Sequence, residues 1–539
     1  MRQAMNPDET VESKVRLTVS GAEVLPGDDR PGTAERSHRG AARAYRVCDR
    51  LTEAVLVLAV VFNPWALGTT TQWAVWAMNV AGYVLGAFWV SKWVLRVATG
   101  YRPARWRGHD HESASPWARW LIRVMGGLTV LLLGYVLTSA INARAVFNAD
   151  RLAFDYFECV PWLPHTYDRA ATWFAFWEYL GLACTFWAAR DWLGGKTEEE
   201  AQAEERTTRG RTDDAHGPGR RYSGGGSMPV RVRRLLMALC VTGALVGLEG
   251  TVQRLAGTNK LLFVLQPLIN RKAEGQFGPY ANRNNAAEYL NLLWPVCAGL
   301  AWASAQTAGR NRREGRRRPG TAHRWLAIGA VLMGAGTFIS SSRGGSIVAA
   351  GMLPVALIVM LTMTRASSVG TKVGLGLLFA AALQVAVVFG WDTLAKRFET
   401  VFTDDLGGRL GTYKNAEAMA RDYALFGCGA GSFGPMYYLY RNDPDAVWAG
   451  YLHNDWLELR ITLGWVGFGM ALALLAGAFL HWFLRDGAPL SPFLAVLIWL
   501  ALLGCLVHAR FDFPFQVHSL ATVFLLYCSI LSCSQRARE

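Results

Sequence analysis

Apolar residues in this chain come in blocks of about twenty, the length a helix needs to cross a hydrocarbon core of ~30 Å. Leu, Val, Ala, Gly and Trp dominate these blocks. They lack the ten-residue alternation that marks a membrane barrel. Of 539 residues, 52% are hydrophobic and only 18% charged, so most of the chain is available for such spans. The expected fold is an all-α integral membrane protein with about 12 transmembrane helices. The first six spans fall near 51–68, 72–95, 118–141, 170–193, 233–254 and 286–306. The next six fall near 323–341, 344–364, 371–391, 455–484, 490–509 and 513–533.

A formal charge of +14 invites a nucleic-acid reading, which its distribution weakens. Arg310, Arg312, Arg313, Arg316, Arg317, Arg318 and Arg324 crowd one short loop, and Arg96, Arg102, Arg105 and Arg107 another. Short basic loops between spans are the positive-inside signal. No aromatic residues interleave with the 310–324 run, as a strand-binding surface requires, so no nucleic-acid partner is expected. The nine cysteines show no metal-ligand spacing. Cys159 and Cys428 both fall in expected external loops, where a disulfide between them is open but not favoured.

With the N-terminus in the cytoplasm, the basic loops 96–117 and 307–322, the segment 194–232 and the tail from Gln535 all lie inside. The long loop 392–454, before the tenth span and partly helical, then lies outside. The expected topology is multi-pass, with both termini cytoplasmic and the candidate site on the outer side. Residues 1–48 read as a disordered cytoplasmic tail without an apolar h-region, which leaves the first span as insertion signal. Residues 49–193 form a four-span block, 194–232 a disordered cytoplasmic linker, and 233–534 an eight-span block.

Four external segments carry polar residues. Asn282, Arg283 and Asn284 precede the sixth span, where spacing favours an Asn-capped helix start over hydrogen bonding to a sugar or phosphate. Ser341-Ser342-Arg343-Gly344-Gly345 opens the eighth span. Arg343 snorkelling to headgroups competes there with an anion site, which the outward side, the small neighbours and the helix N-terminus favour. In the 392–454 loop, Arg409 starts an interfacial helix with Leu410, Tyr413, Ala416, Ala420 and Tyr423 on or near one face. The following run from Gly427 to Gly434 is either a flexible turn or a set of backbone N–H groups offered to phosphate. His453 ends the loop; a lone histidine there is weak evidence, and Arg343 and Arg409 on the same face strengthen it. Asp455 and Glu458 fit a capping-box-like start for the next helix. Arg510 and Asp512, between the last two spans, either pair with each other or line the same cavity.

In their order, these segments resemble the bacterial O-antigen ligase and O-antigen polymerase superfamily over roughly residues 240–530. The pieces are Phe277-Gly278…Asn282-Arg283-Asn284, Ser342-Arg343-Gly344-Gly345, Arg409-x3-Tyr413, Gly427-x-Gly429-x-Gly431-Ser432-Phe433, His453-Asn454-Asp455-Trp456-Leu457-Glu458 and His508…Asp512-Phe513-Pro514. Tyr413 stands where Trp is frequent. The resemblance implies transfer of a glycan from undecaprenyl pyrophosphate to an acceptor hydroxyl on a glycan or glycolipid, as in lipopolysaccharide biosynthesis at the cell envelope. It implies a location in the bacterial inner membrane, with the loop 392–454 and the active site periplasmic. No metal or other cofactor is expected. Arg343 and Arg409 are implied to hold the pyrophosphate, and His453 to orient or deprotonate the hydroxyl. Asn282, Arg283, Asn284, Arg510 and Asp512 are the candidate substrate-binding residues. A polysaccharide polymerase or protein O-oligosaccharyltransferase of the same superfamily is the alternative. A polytopic transporter ranks third, because the charged candidates gather at the outer boundary rather than the midplane.

Overall fold

The computed structural model describes residues 33–106, 116–213, 228–267, 270–313, 321–363, 405–442, 450–484 and 488–536, with three isolated positions between 376 and 384. These are mostly helical. In chain order the first helices are α1 (Thr33–Trp65), α2 (Gln72–Thr99), α3 (Pro116–Ile141), α4 (Arg169–Leu193), α5 (Glu198–Asp213) and α6 (Val230–Leu255). Then come α7 (Arg283–Arg313), α8 (Ala322–Ile339), α9 (Arg343–Met363), α10 (Asp405–Asp422), α11 (Phe433–Tyr437), α12 (Asp455–His481), α13 (Pro492–His508) and α14 (His518–Cys533). Six of them, α2, α3, α6, α8, α9 and α12 with the turn that extends it, are long and apolar enough to cross a membrane; α13 and α14 are shorter apolar helices. The protein is an all-α membrane protein. The expected spans at 170–193 and 286–306 fall within α4 and α7, and the one at 51–68 overlaps α1, which ends at Trp65. The span expected at 371–391 lies outside the described residues.

One buried apolar cluster runs from Leu56 and Leu85 through Trp192 and Trp294 to Leu531. It joins helices on both sides of the 194–232 segment, because α1 packs on α6 and α4 on α14. Close crossings use small residues where backbones meet, as membrane helices do. A Cβ added at Gly82 of α2 would stand 2.4 Å from the carbonyl oxygen of Gly181 on α4.

Two stretches expected to be disordered are helical in part. Helix α1 begins at Thr33, well inside the expected tail. Tyr45 is buried against Tyr101, with ring centroids 5.3 Å apart. Helix α5 occupies Glu198–Asp213 of the expected linker. Its start is a capping box: Glu200 accepts from the Thr197 N–H at 2.8 Å, while Thr197 Oγ1 accepts from the Glu200 N–H at 3.3 Å. The same Glu200 carboxylate accepts from the Val230 N–H at 2.7 Å, pinning α5 to the start of α6. Beneath them lies a buried ionic cluster. Lys92 Nζ is 3.2 Å from Asp49 and 2.8 Å from Asp191; Arg96 and Arg105 also pair with Asp191, and Arg231 with Asp49.

Between α3 and α4 the chain forms an antiparallel hairpin, β1 (Ala145–Asn148) and β2 (Ala153–Tyr156), which the apolar-block reading does not anticipate. Helix α12 is broken at Gly464, where φ is 60° and ψ −175°. The carbonyls freed there are taken up by the Gly-rich turn and by a tyrosine. Cys428 and Gly429 donate to the Ile461 and Thr462 carbonyls at 2.9 and 3.0 Å, and Tyr135 donates to the Leu463 carbonyl at 2.8 Å. A broken helix at membrane depth requires such substitutes. The turn from Gly427 therefore braces α12; the phosphate-cradle reading of its N–H groups does not hold at 427, 428 and 429, all of which have backbone partners.

Candidate active site

The residues read from the sequence gather where the starts of α7, α9 and α12 meet the end of α13 and the side of α10. His453 precedes α12 in the left-handed region at φ 58°. Asn454 caps α12 by accepting from the Leu457 N–H at 3.3 Å. Asp455 is thus the first helical residue and not the cap: its carboxylate accepts from the Phe515 N–H at 2.7 Å, and Glu458 accepts from the Leu452 N–H at 2.7 Å. The Tyr413 hydroxyl donates to the His453 carbonyl at 2.7 Å, holding the strained peptide from α10. Phe513 packs edge-on against the imidazole, with centroids 4.7 Å apart, and stacks on Tyr451.

Asp512 is the hub. Its Oδ1 accepts from His453 Nδ1 at 2.8 Å, and its Oδ2 from Asn284 Nδ2 at 2.7 Å. A carboxylate only accepts, so Nδ1 carries a proton, and in the neutral imidazole the lone pair is on Nε2. No protein group among the described residues hydrogen-bonds that Nε2, and the His453 side chain is 31% exposed, so it opens outward. Burial pushes the Asp512 carboxyl upward. The His453 hydrogen bond, with the charges of His453, His508 and Arg409, more than offsets it and holds Asp512 below the ordinary carboxylate range. Asp512 does not pair with Arg510, which is exposed.

Arg409 lies in the second turn of α10, since that helix begins at Asp405 and not at Arg409. The buried face of α10 is Ala416, Met419 and Ala420; Leu410, expected on or near that face, is 53% exposed. The Arg409 guanidinium donates from Nη1 to the Phe511 carbonyl, and its Nη2 lies 4.0 Å from Asp512 Oδ2. It is thereby aimed along the same edge as His453. Arg343 is the first residue of α9, whose start is capped by Ser342: Oγ accepts from the Gly345 N–H at 3.2 Å. Ser341 before it is also left-handed, at φ 59°. Gly344 lies against His508; a Cβ there would stand 3.2 Å from Nε2. Gly344 thus lets the α9 start close onto the hub.

The three residues before α7 divide. Asn284 reaches Asp512; Asn282 Oδ1 accepts from the Asn284 N–H at 2.9 Å as a turn-forming cap; Arg283 donates to the Glu274 carbonyl at 2.6 Å. Two residues escaped the sequence reading altogether as site components, His508 and Glu288, which hydrogen-bond each other behind Asp512. His508 stood in a noted motif, but Glu288 is buried inside an apolar helix and carries no local signal. Cys159 and Cys428 are free thiols; Cys428 is buried and accepts from the Ser432 hydroxyl at 3.2 Å. Among the described residues no cluster of His, Cys, Asp and Glu suits a metal ion.

Next to Asp455 and Gln516, a cavity of about 310 Å³ runs between α3, α4, α12 and α14. Leu132, Phe186, Leu475 and Phe524 line it with other apolar side chains, which suits a hydrocarbon chain.

Residues 328–472 match the family model for O-antigen ligase. Over that stretch the chain is similar to O-antigen ligases. No curated protein matches it. The matched segment holds Arg343, Arg409 and His453, while Asn284, Glu288, His508 and Asp512 pack onto it from outside its bounds. The freed carbonyls at Ile461, Thr462 and Leu463 of the broken helix, within the same segment, are all engaged.

Proposed function

We propose that the protein is a glycan ligase that moves a polysaccharide or oligosaccharide from undecaprenyl pyrophosphate to an acceptor hydroxyl at the outer face of the inner membrane. The observation that carries this reading is His453, its Nδ1 bound to buried Asp512 and its Nε2 open, beside the Arg409 guanidinium. An imidazole so held is in the tautomer a general base needs. His453 Nε2 takes the acceptor proton as the hydroxyl oxygen attacks the anomeric carbon. The bond from that carbon to the pyrophosphate oxygen breaks, with inversion. Arg343 and Arg409 meet the charge that develops on the departing pyrophosphate. Asp512 stabilises the imidazolium that remains. The apolar cavity supports a lipid-borne substrate, whose hydrocarbon portion needs a place beside the site.

The test is release of free polyprenyl pyrophosphate from a polyprenyl-pyrophosphate glycan by the purified full-length protein supplied with crude envelope acceptor. Wild type is expected to release it, and His453→Ala to fall by at least about a hundredfold, the lower range of a general base's contribution. Equal release by the His453→Ala protein would remove the proposed base. Tracing the glycan to a lipid core, a growing polysaccharide or a protein decides between ligase, polymerase and oligosaccharyltransferase.

A further inference from the structure

Behind Asp512 the alternation of carboxylate and imidazole continues inward. His508 Nδ1 hydrogen-bonds Glu288 Oε2, and His508 Nε2 stands 3.9 Å from Asp512 Oδ2. Both groups of the inner pair are 1% exposed. Asn284 and Glu288 lie one turn apart on α7, as His508 and Asp512 do at the end of α13, so two i,i+4 pairs face each other. Nδ1 hydrogen-bonds Glu288 and Nε2 faces Asp512 at ion-pair distance, so an imidazolium at His508 lies between two carboxylates. Burying two ionisable groups is costly unless they are paired, and this pair holds a positive charge against the far side of Asp512.

We propose that Glu288 and His508 are positioning residues that set the proton affinity of His453 through Asp512. The inference rests on the ligase reading only for its effect on turnover. With His508 protonated, part of the Asp512 charge is neutralised from behind, so the His453 imidazolium is stabilised less and the neutral base persists to lower pH. The other titratable and charged groups facing the cluster are Arg409 and Tyr413 from α10, His453 and Asp455 at the start of α12, and Arg510 near Tyr413. Cys505 faces Glu288 from one turn back on α13, and Arg343 neighbours the glycine packed on His508. Glu288→Gln keeps the shape of the side chain while removing the charge that holds the His508 proton.

Diethyl pyrocarbonate modifies only a neutral imidazole nitrogen, and His453 Nε2 is open to it while His508 is buried. The rate of modification of His453, measured by peptide mass spectrometry on the full-length protein between about pH 5 and 8, gives the midpoint of its titration. In Glu288→Gln that midpoint is expected to rise by about half a pH unit or more, and in Glu288→Asp, which keeps the charge, to stay with wild type. If Glu288→Gln does not accumulate, His508→Gln removes the same positive charge and is expected to move the midpoint the same way. Unmoved midpoints in folded protein would overturn the proposal and leave the pair as packing. In the release assay below the wild-type midpoint, Glu288→Gln is expected to lose about threefold in kcat at an unchanged donor KM, the loss that a half-unit rise of the midpoint produces. A shifted midpoint without release by any form defeats the ligase reading and upholds the positioning; release with a fixed midpoint does the reverse.

Discussion

His453 is held in a backbone region that strains a non-glycine residue by about 1–3 kcal/mol, and it stays there because Tyr413, Asp512 and Phe513 each hold one side of it. Histidine tolerates this region better than bulky residues do. At this scale the hub is the sharper probe. Asp512→Asn keeps the hydrogen-bonding shape but lets its amide donate, which turns the imidazole to the wrong tautomer. Loss of about 10²–10⁴-fold in kcat is expected in the release assay, and wild-type turnover would sink the assignment. Asp512 also imposes a pH dependence on the fold. Its pKa is depressed in the folded protein, so its contribution is fully present above the usual carboxylate value of ~3.9 and is lost as pH falls through the lowered value. Thermal unfolding in detergent is expected to show a steeper acid loss for wild type than for Asp512→Asn, and parallel curves would contradict it. Arg343→Lys replaces a planar fork by a point charge and is expected to raise donor KM and lower kcat together, about tenfold or more; unchanged kinetics would leave Arg343 a headgroup anchor.

Elements explain what the sequence could not display. The long apolar helices α2, α3, α6, α8, α9 and α12 were legible, because apolar block length is a local property. Arg343, Arg409 and His453 were legible because they sit in short motifs of fixed order. The role of the Gly427–Gly434 turn was not, since its partners are carbonyls of a helix break more than thirty residues on, and nothing before Gly464 announces the break. Glu288 and His508 are 220 residues apart, and only the packing of α7 on α13 joins them. The brace at the break is testable. Tyr135 donates to both the Phe426 and Leu463 carbonyls, at 2.6 and 2.8 Å. Tyr135→Phe leaves one bond fewer at each, and a cost of about 1–3 kcal/mol is expected, read as a lower midpoint of thermal unfolding. An unchanged midpoint would show that the Gly-rich turn suffices.

Across the molecule, polar order is concentrated at both ends of the bundle. The hub lies at one end; at the other, Asp191 gathers Lys92, Arg96 and Arg105, and Asp49 gathers Lys92 and Arg231. The Lys92 side chain is fully buried, so a lost partner has no water to replace it. Asp191→Asn is expected to destabilise by about 3–5 kcal/mol, measured as early thermal aggregation in detergent, while the midpoint of His453 modification stays fixed. Wild-type stability would mean the remaining Asp49 carries the cluster alone. Ordered helix where the sequence suggested a tail and a linker has the same origin: α1 and α5 are tied to this end by Arg46–Glu198 at 3.2 Å and by the Glu200 cap.

The hub has a consequence for the making of the protein. Its members are Asn284, Glu288, Arg409, His453, His508 and Asp512, and the last of these completes the first's hydrogen bond from 228 residues away. A ribosome delivers α7 and its carboxylate long before it delivers the histidine that pairs with it. Until α13 has entered the bilayer, Glu288 is an uncompensated acid inside a helix otherwise fit for lipid, and His453 has no carboxylate to fix its proton. The cluster is therefore completed in a single late event, when the 508–512 corner closes on α7, and every earlier intermediate of membrane insertion lacks it.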